Sequence, residues 1–304
     1  IHGSRTIFPI PLALGSTWDE AAVEKMAEIS AKEAAVSGLH VTFSPMVDLV
    51  RDPRWGRVME STGEDPLLNS RLAAAMVRGY QGENLKEDNW RVAACVKHFA
   101  AYGGALAGRD YNTVDMSERQ LREMYLPGYK AGLDAGAKLV MTSFNTVDGI
   151  PATGNQWLFR DVLRNEFGFE GVVISDWGAI KELIPHGVAK DEKQAAELAI
   201  KAGVDIEMMT TCYPDYLKEL LEEGRIAETL IDEAVMRILK LKNELGLFEN
   251  PYRGADEQAE AEVILSKEHR EIAKKIAQKS MVLLKNENIL PFTPQEKIAL
   301  VGPG

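Results

Sequence analysis

The chain has 304 residues, 45% hydrophobic and 27% charged, an ordinary globular composition with room for one large α/β domain or one domain plus part of another. Its 35 Lys and Arg stand against 46 Asp and Glu, and the net charge of -11 argues against wrapping a nucleic-acid backbone or lying on an anionic membrane. No run is long and apolar enough to span a bilayer, and the two cysteines, Cys95 and Cys212, have neither metal-site spacing nor a disulfide framework.

Strand and helix patterns alternate along the chain. Apolar spacing predicts a helix over 20–37 that stops at Gly38, followed by a β-rich run over 40–43. A helix over 66–80 has Pro66 in its first turn and Gly82 after its end. Residues 92–96 read as a buried strand, with Cys95 as a small core residue. Ser117 opens the next helix with Gln120 three residues on, a capping-box spacing, and Pro127 inside it predicts a kink or a break. A strand over 139–142, a helix over 155–167 and a strand over 172–175 follow. A helix over 195–202, ended by Gly203, leads into a short strand over 204–208. Amphipathic helices over 215–223 and 228–245 close the series, each followed by Gly.

Repeated strand–helix units imply a parallel sheet. No glycine-rich phosphate fingerprint follows any strand, so a (β/α) barrel is favoured over a doubly wound nucleotide-binding sheet. A full barrel needs eight strands and five are readable. The expected fold class is therefore α/β, an incomplete (β/α)8 TIM-like barrel over 1–248. Beyond it, 249–296 reads as a linker containing a charged amphipathic helix over 266–280. Residues 282–286 and 298–301 read as strands of another unit, which places a second domain's first strand within 297–304.

In such a barrel, function gathers where strands end. The first strand is followed by Asp48, the run Arg51, Asp52, Arg54, Trp55 and Arg57, and Glu60. Lys97 and His98 end the second strand; Met141, Ser143 and Asn145 follow the third; Asp176 and Trp177 follow the fourth; Asp205 and Glu207 lie at the fifth. Carboxylates, Arg, Lys, His and an indole on one rim suit a polyhydroxylated neutral ligand, whose hydroxyls take charge-assisted hydrogen bonds and whose ring face rests on the indole. Each residue also has a plainer role. Asp176 reads equally as the cap of the turn near Gly178, and Lys97-His98 as a solvated strand end. Arg54 and Arg57 suit holding their loop together by pairing with Asp52, Glu60 or Glu64, a structural role favoured for Arg57 and Asp52. Trp55 and Met141 suit packing. One of Asp205 and Glu207 faces inward.

These segments, in order, match one known family. The stretches over 43–66 (FSPMVDLVRDPRWGRVMESTGEDP), 97–117 (KHFAAYGGALAGRDYNTVDMS), 140–155 (VMTSFNTVDGIPATGN) and 173–180 (VISDWGAI) resemble the β-glucosidase branch of glycoside hydrolase family 3. The resemblance implies retaining, exo-acting hydrolysis of terminal nonreducing β-D-glucosyl residues, with β-xylosidase or mixed specificity as the alternative. A non-catalytic sugar-binding protein is the alternative of another class. Asp176 would be the nucleophile. Arg54, Lys97 and His98 would bind hydroxyls of the sugar, Met141 and Trp177 would form its walls, and Arg109 and Tyr111 would support them. No metal or organic cofactor is implied. The substrate would be a small oligosaccharide or aryl β-glucoside, the compartment periplasmic or extracellular, with neither nucleic acid nor membrane as partner.

Such chemistry needs a second carboxyl group about 5 to 5.5 Å from the first. In this branch it comes from a Glu of a following α/β sandwich domain, and another sugar-binding Asp precedes an Ile-His-Gly segment like Ile1 to Gly3. The missing N-terminal and C-terminal segments of the same enzyme are therefore expected partners, beside which alone the piece is ordered. Glu207 is the rival acid/base within the chain. Phe144 stands where relatives often carry Tyr. The segment after His98 lacks the His-containing loop of the N-acetylglucosaminidase branch.

Overall fold

The computed structural model describes residues 4–111, 113–299 and 301. Helices α1 (Pro11–Thr17) and α2 (Glu20–Ala35) open it, and Asp19 caps α2 by accepting from Ala22 N at 3.0 Å. Strand β1 (Val41–Thr42), helix α3 (Pro66–Gln81) and strand β2 (Ala93–Phe99) follow. Pro66 starts α3, where its missing N–H costs nothing, and Asp65 caps it through Leu68 N at 2.7 Å. The helix expected to kink or break at Pro127 runs on through it and changes its winding just before it. It divides into α4 (Glu118–Gln120), a π-wound turn (Leu121–Tyr125) and α5 (Leu126–Asp134), with Pro127 in the first turn of α5. Ser117 Oγ accepts from Gln120 N at 3.2 Å, as the capping spacing predicts.

Strand β3 (Leu139–Thr142) leads into a hairpin, β4 (Thr146–Val147) and β5 (Ile150–Pro151). A π-wound helix (Trp157–Glu166) precedes β6 (Val172–Ile174). Helices α6 (Glu192–Ala202), α7 (Cys212–Glu222), α8 (Glu228–Glu244), α9 (Glu257–Val263) and α10 (Lys267–Lys279) complete the series. None of the helices is long and apolar enough to cross a membrane, among the described residues.

Strands β1, β2, β3 and β6 form one parallel sheet in that order. Alternate residues face opposite cores, as a strand period of two requires. Ala94, Val96, Val140 and Val173 point outward into the core shared with α2, α3, α5 and α6. Ala93, Cys95, Leu139, Met141, Val172 and Ile174 point inward and meet Leu241 and Leu245 around the end of α8. Helices outside and an apolar interior on the other face make this part of a TIM-like barrel. Around it, α2 and α3 pack at close range. A Cβ on Gly79 would lie 2.3 Å from Glu24 O and 2.6 Å from Ala27 Cβ, so only glycine fits.

Two expected strands are corrected. The run over 204–208 shrinks to a single bridge between Ile206 and Ile174. The Asp205 carboxylate accepts from Val173 N at 2.8 Å, taking a donor that a continuing ladder would use. The run over 282–286 finds no partner strand and stays irregular, with Leu283 and Leu284 exposed. Ile298, Ala299 and Val301 are also unpaired, while Leu300 and 302–304 lie outside the described residues.

A buried acidic node fastens α10 to the barrel. Glu33, in α2 and 2% exposed, accepts from Thr6 N at 2.8 Å, Thr6 Oγ1 at 2.6 Å, Leu265 N at 3.2 Å and His269 Nδ1 at 2.6 Å. One side chain thereby ties together the segment before α1, the barrel and the start of α10.

Candidate active site

The ends of β2, β3 and β6 bring His98, Thr142 and Asp176 together. Asp176 follows β6 directly and is 7% exposed. Its backbone N donates to Thr142 Oγ1 at 3.2 Å, at the end of β3. Its Oδ1 accepts from Trp177 N at 2.6 Å, while Oδ2 has no hydrogen-bond partner among the described residues. The nearest cation-capable atom to Oδ2 is His98 Nε2 at 3.4 Å. One oxygen of Asp176 thus holds the local turn through Trp177 N, as the capping reading expects, and the other makes no hydrogen bond among the described residues. A buried, unpartnered carboxylate oxygen is costly to hold and is found where a reacting or binding partner is to arrive.

His98 closes β2 and is 1% exposed. Its Nδ1 lies 2.7 Å from Asp48 Oδ2, which also accepts from His98 N at 3.0 Å. Tyr129 of α5 donates from its hydroxyl to Asp48 Oδ1 at 2.5 Å. Lys97 is half-buried beside this group. Burial pushes the Glu60 carboxyl up, but hydrogen bonds and charge from Arg57, with the charges of Lys97 and His98, hold it below the ordinary range.

The arginines divide as the loop suggests. Arg54 is exposed and pairs with Asp52, its Nη2 at 2.6 Å from Oδ2. Hydrogen bonds from Arg54 hold the Asp52 carboxyl down at about 2. Arg57 pairs with Glu60 at 2.7 Å and lies over the Tyr102 ring. Trp55 is packing, 1% exposed, with Nε1 donating to Asp110 Oδ1 at 3.0 Å. Trp177 is 62% exposed, a free indole face beside Asp176. Met141 is buried in the inner core. Tyr111, about half-exposed, stacks on Phe144 with ring centroids 4.4 Å apart.

Neither acidic residue at the fifth strand position opens onto this rim. Asp205 is buried between Arg164 at 3.1 Å and Arg237 at 2.8 Å. Burial pushes its carboxyl up despite both guanidiniums. Glu207 accepts from Cys212 N at 2.9 Å and Tyr213 N at 2.7 Å, and from the Thr210 hydroxyl, capping α7. That use of both oxygens corrects the expectation of Glu207 as acid/base. Glu207→Gln is expected to leave turnover unchanged, while Glu207→Ala lowers stability by about 1 kcal/mol through the lost cap. Steady-state assays with a thermal melt of each variant check this pair of outcomes.

Two participants escaped assignment from the sequence. Asp48 was noted as a strand-end carboxylate without a role. Glu182, on a short 3-10 turn after Asp176, is half-buried, and burial plus the Asp176 charge push its carboxyl up. The only signal for Glu182 is its place six residues past Asp176. A groove of about 890 Å³, lined by Glu24, Glu28, Arg78, Asp88, Trp90 and Arg91, shares no residue with the rim. In that groove Arg78 and Arg91 are paired with Glu24, Glu28 and Asp88, whereas the rim holds the unpartnered Asp176 oxygen.

Residues 1–241 match the glycosyl hydrolase family 3 N terminal domain. The chain belongs to glycosyl hydrolase family 3. Among curated family 3 relatives, a periplasmic beta-glucosidase of Salmonella typhimurium is 46% identical over 307 residues, covering 100% of this chain and 40% of the relative. A beta-xylosidase of Formosa agariphila is 37% identical over 316 residues, covering 99% of this chain and 43% of the relative. The crystal structure of a beta-glucosidase from Listeria innocua in complex with glucose superposes with a TM-score of 0.93 at 61% identity, over 96% of this chain and 40% of that one. The chain thus spans about 40% of the length of these relatives.

Proposed function

We propose that this chain carries the nucleophile half of a retaining, exo-acting β-glucosidase. The observation that carries the reading is Asp176: buried, fixed through Oδ1, and free at Oδ2 beside His98. Oδ2 attacks the anomeric carbon of a terminal β-glucosyl residue and forms an ester. The bond to the leaving oxygen breaks as a carboxylic acid elsewhere in the full-length protein protonates it. Water, deprotonated by the same group, then cleaves the ester, so configuration is retained over two inversions. Lys97, His98 and Arg54 take hydroxyls of the sugar, Trp177 offers a face to its ring, and Met141 backs the wall. For Arg54 this requires sharing or releasing Asp52.

The beta-glucosidase names among relatives support the sugar, and the 37% identical beta-xylosidase supports pentose specificity as the second reading. Parallel kcat/KM measurements on aryl glucosides and xylosides separate the two. The periplasmic relative supports a periplasmic location. Residues 249–296 serve as a linker and 297–304 begin a second α/β sandwich domain. The test of the mechanism is covalent. A 2-deoxy-2-fluoro-β-glucoside with a good leaving group, given to the full-length protein, should leave its sugar on the peptide containing Asp176. An adduct mapped to any other residue sinks the assignment.

A further inference from the structure

We propose that Asp48 is a positioning residue for this site, acting through His98 on the atom that faces Asp176. The inference rests on the reading of Asp176 given above. Asp48 is 0% exposed, and its carboxylate has no arginine or lysine partner among the described residues. Its contacts all converge on the end of β2. Oδ2 accepts from His98 N at 3.0 Å and lies 2.7 Å from His98 Nδ1, and Oδ1 accepts from the Tyr129 hydroxyl at 2.5 Å. Since a carboxylate only accepts, Nδ1 must carry a hydrogen toward Asp48.

The ring's other nitrogen is thereby fixed. Nε2 is held 3.4 Å from Asp176 Oδ2, where the free carboxylate oxygen and an arriving sugar hydroxyl meet. The edge of the ring is also braced against Tyr102, with centroids 5.2 Å apart at 81°. His98 and Asp48 are both sealed from water, so in the folded protein the Asp48 carboxylate is the partner that Nδ1 meets. A histidine in a working site generally has its outward nitrogen set by the bond its inward nitrogen makes. In this chain that bond is supplied by the Asp48 carboxylate, from the segment that follows β1.

The proposal is tested on the full-length protein in two independent ways. Selective ¹⁵N labelling of histidine reads the tautomer directly, without any variant: His98 should show a protonated Nδ1 throughout the folded pH range. A bare Nδ1 overturns the proposal even if Asp176 proves to be the nucleophile. Asp48→Ala, which deletes the acceptor, should release the tautomer and lower the rate of glycosylation by the 2-fluoro reagent about 10- to 100-fold, the scale on which such partners act. KM should rise by a smaller factor than the glycosylation rate falls, because Lys97, Met141 and Trp177 still hold the sugar while only the His98 contact is disordered. Asp48→Asn, which keeps an acceptor oxygen toward His98, should recover most of that loss. A folded Asp48→Ala protein with unchanged glycosylation rate overturns the proposal. So does a loss matched by an equal fall in melting temperature with no change in the histidine signals, which marks a structural role only. Failure of the adduct to map to Asp176 is a different result, and it strikes the parent reading rather than the tautomer.

Discussion

Asp176→Ala in the full-length protein is expected to lower kcat on aryl β-glucosides by about 10⁴-fold or more, the scale on which losing a covalent nucleophile is felt. The fold should survive. The side chain's structural contribution is the single bond from Trp177 N to Oδ1, and β6 is held independently by Val172 and Val173 on the two faces of the sheet. Removing a buried carboxylate with one unpartnered oxygen also removes a desolvation cost, so the melting temperature should stay level or rise. Azide supplies a sharper readout. In the space left by the carboxylate it should attack the anomeric carbon from the same side, break the bond to an activated leaving group, and yield the α-configured glycosyl azide. A variant that keeps a tenth or more of the parent kcat, or an azide product of β configuration, contradicts the assigned role.

The second large effect concerns stability and belongs to Glu33. Glu33→Ala strips the acceptor from Thr6, Leu265 and His269 in a site 2% exposed, and should cost about 3 to 5 kcal/mol, the usual price of breaking a buried charged network. Burial pushes the Glu33 carboxyl up, but hydrogen bonds from Thr6, His269 and Leu265 outweigh it and hold the carboxyl below its ordinary 4.5. A lowered folded value means the unfolded chain takes up protons first as acid is added. The node's stabilisation is therefore complete above pH 4.5 and drains away as pH falls through the folded value. Urea unfolding between neutral pH and pH 3 should show the parent converging on Glu33→Gln in the acid. A gap between them that does not narrow with acid removes Glu33 as the responsible group.

How much of this was legible depends on what each residue's partner is. The strand before Asp176 and the helix beginning at Pro66 were readable because their signals are local: an apolar β-branched run, and proline with an aspartate cap. The run over 204–208 has similar apolar content, yet the side chain of Asp205 replaces the ladder there. That replacement depends on tertiary placement and leaves no local mark. Glu207 was misread for a related reason. The helix was expected from 215 and begins at Cys212, so its cap, five residues upstream of Cys212, looked like a free strand-end acid. The β4–β5 hairpin was missed although Asp148-Gly149, both at positive φ, is a strong two-residue turn signal. Asp48 was collected as a strand-end carboxylate, but its meaning comes from Tyr129, 81 residues away in sequence.

The bond from Trp177 N to Asp176 Oδ1 has a consequence for the order of events in a catalytic cycle. While Asp176 is a carboxylate, Oδ1 carries part of a full negative charge and grips the Trp177 amide at 2.6 Å. Once Oδ2 becomes the bridging atom of a glycosyl ester, Oδ1 is a neutral carbonyl and a weaker acceptor. Under the proposed nucleophile role, the Trp177 backbone amide would be held tightly while substrate arrives, more loosely in the ester, and tightly again when water frees the sugar.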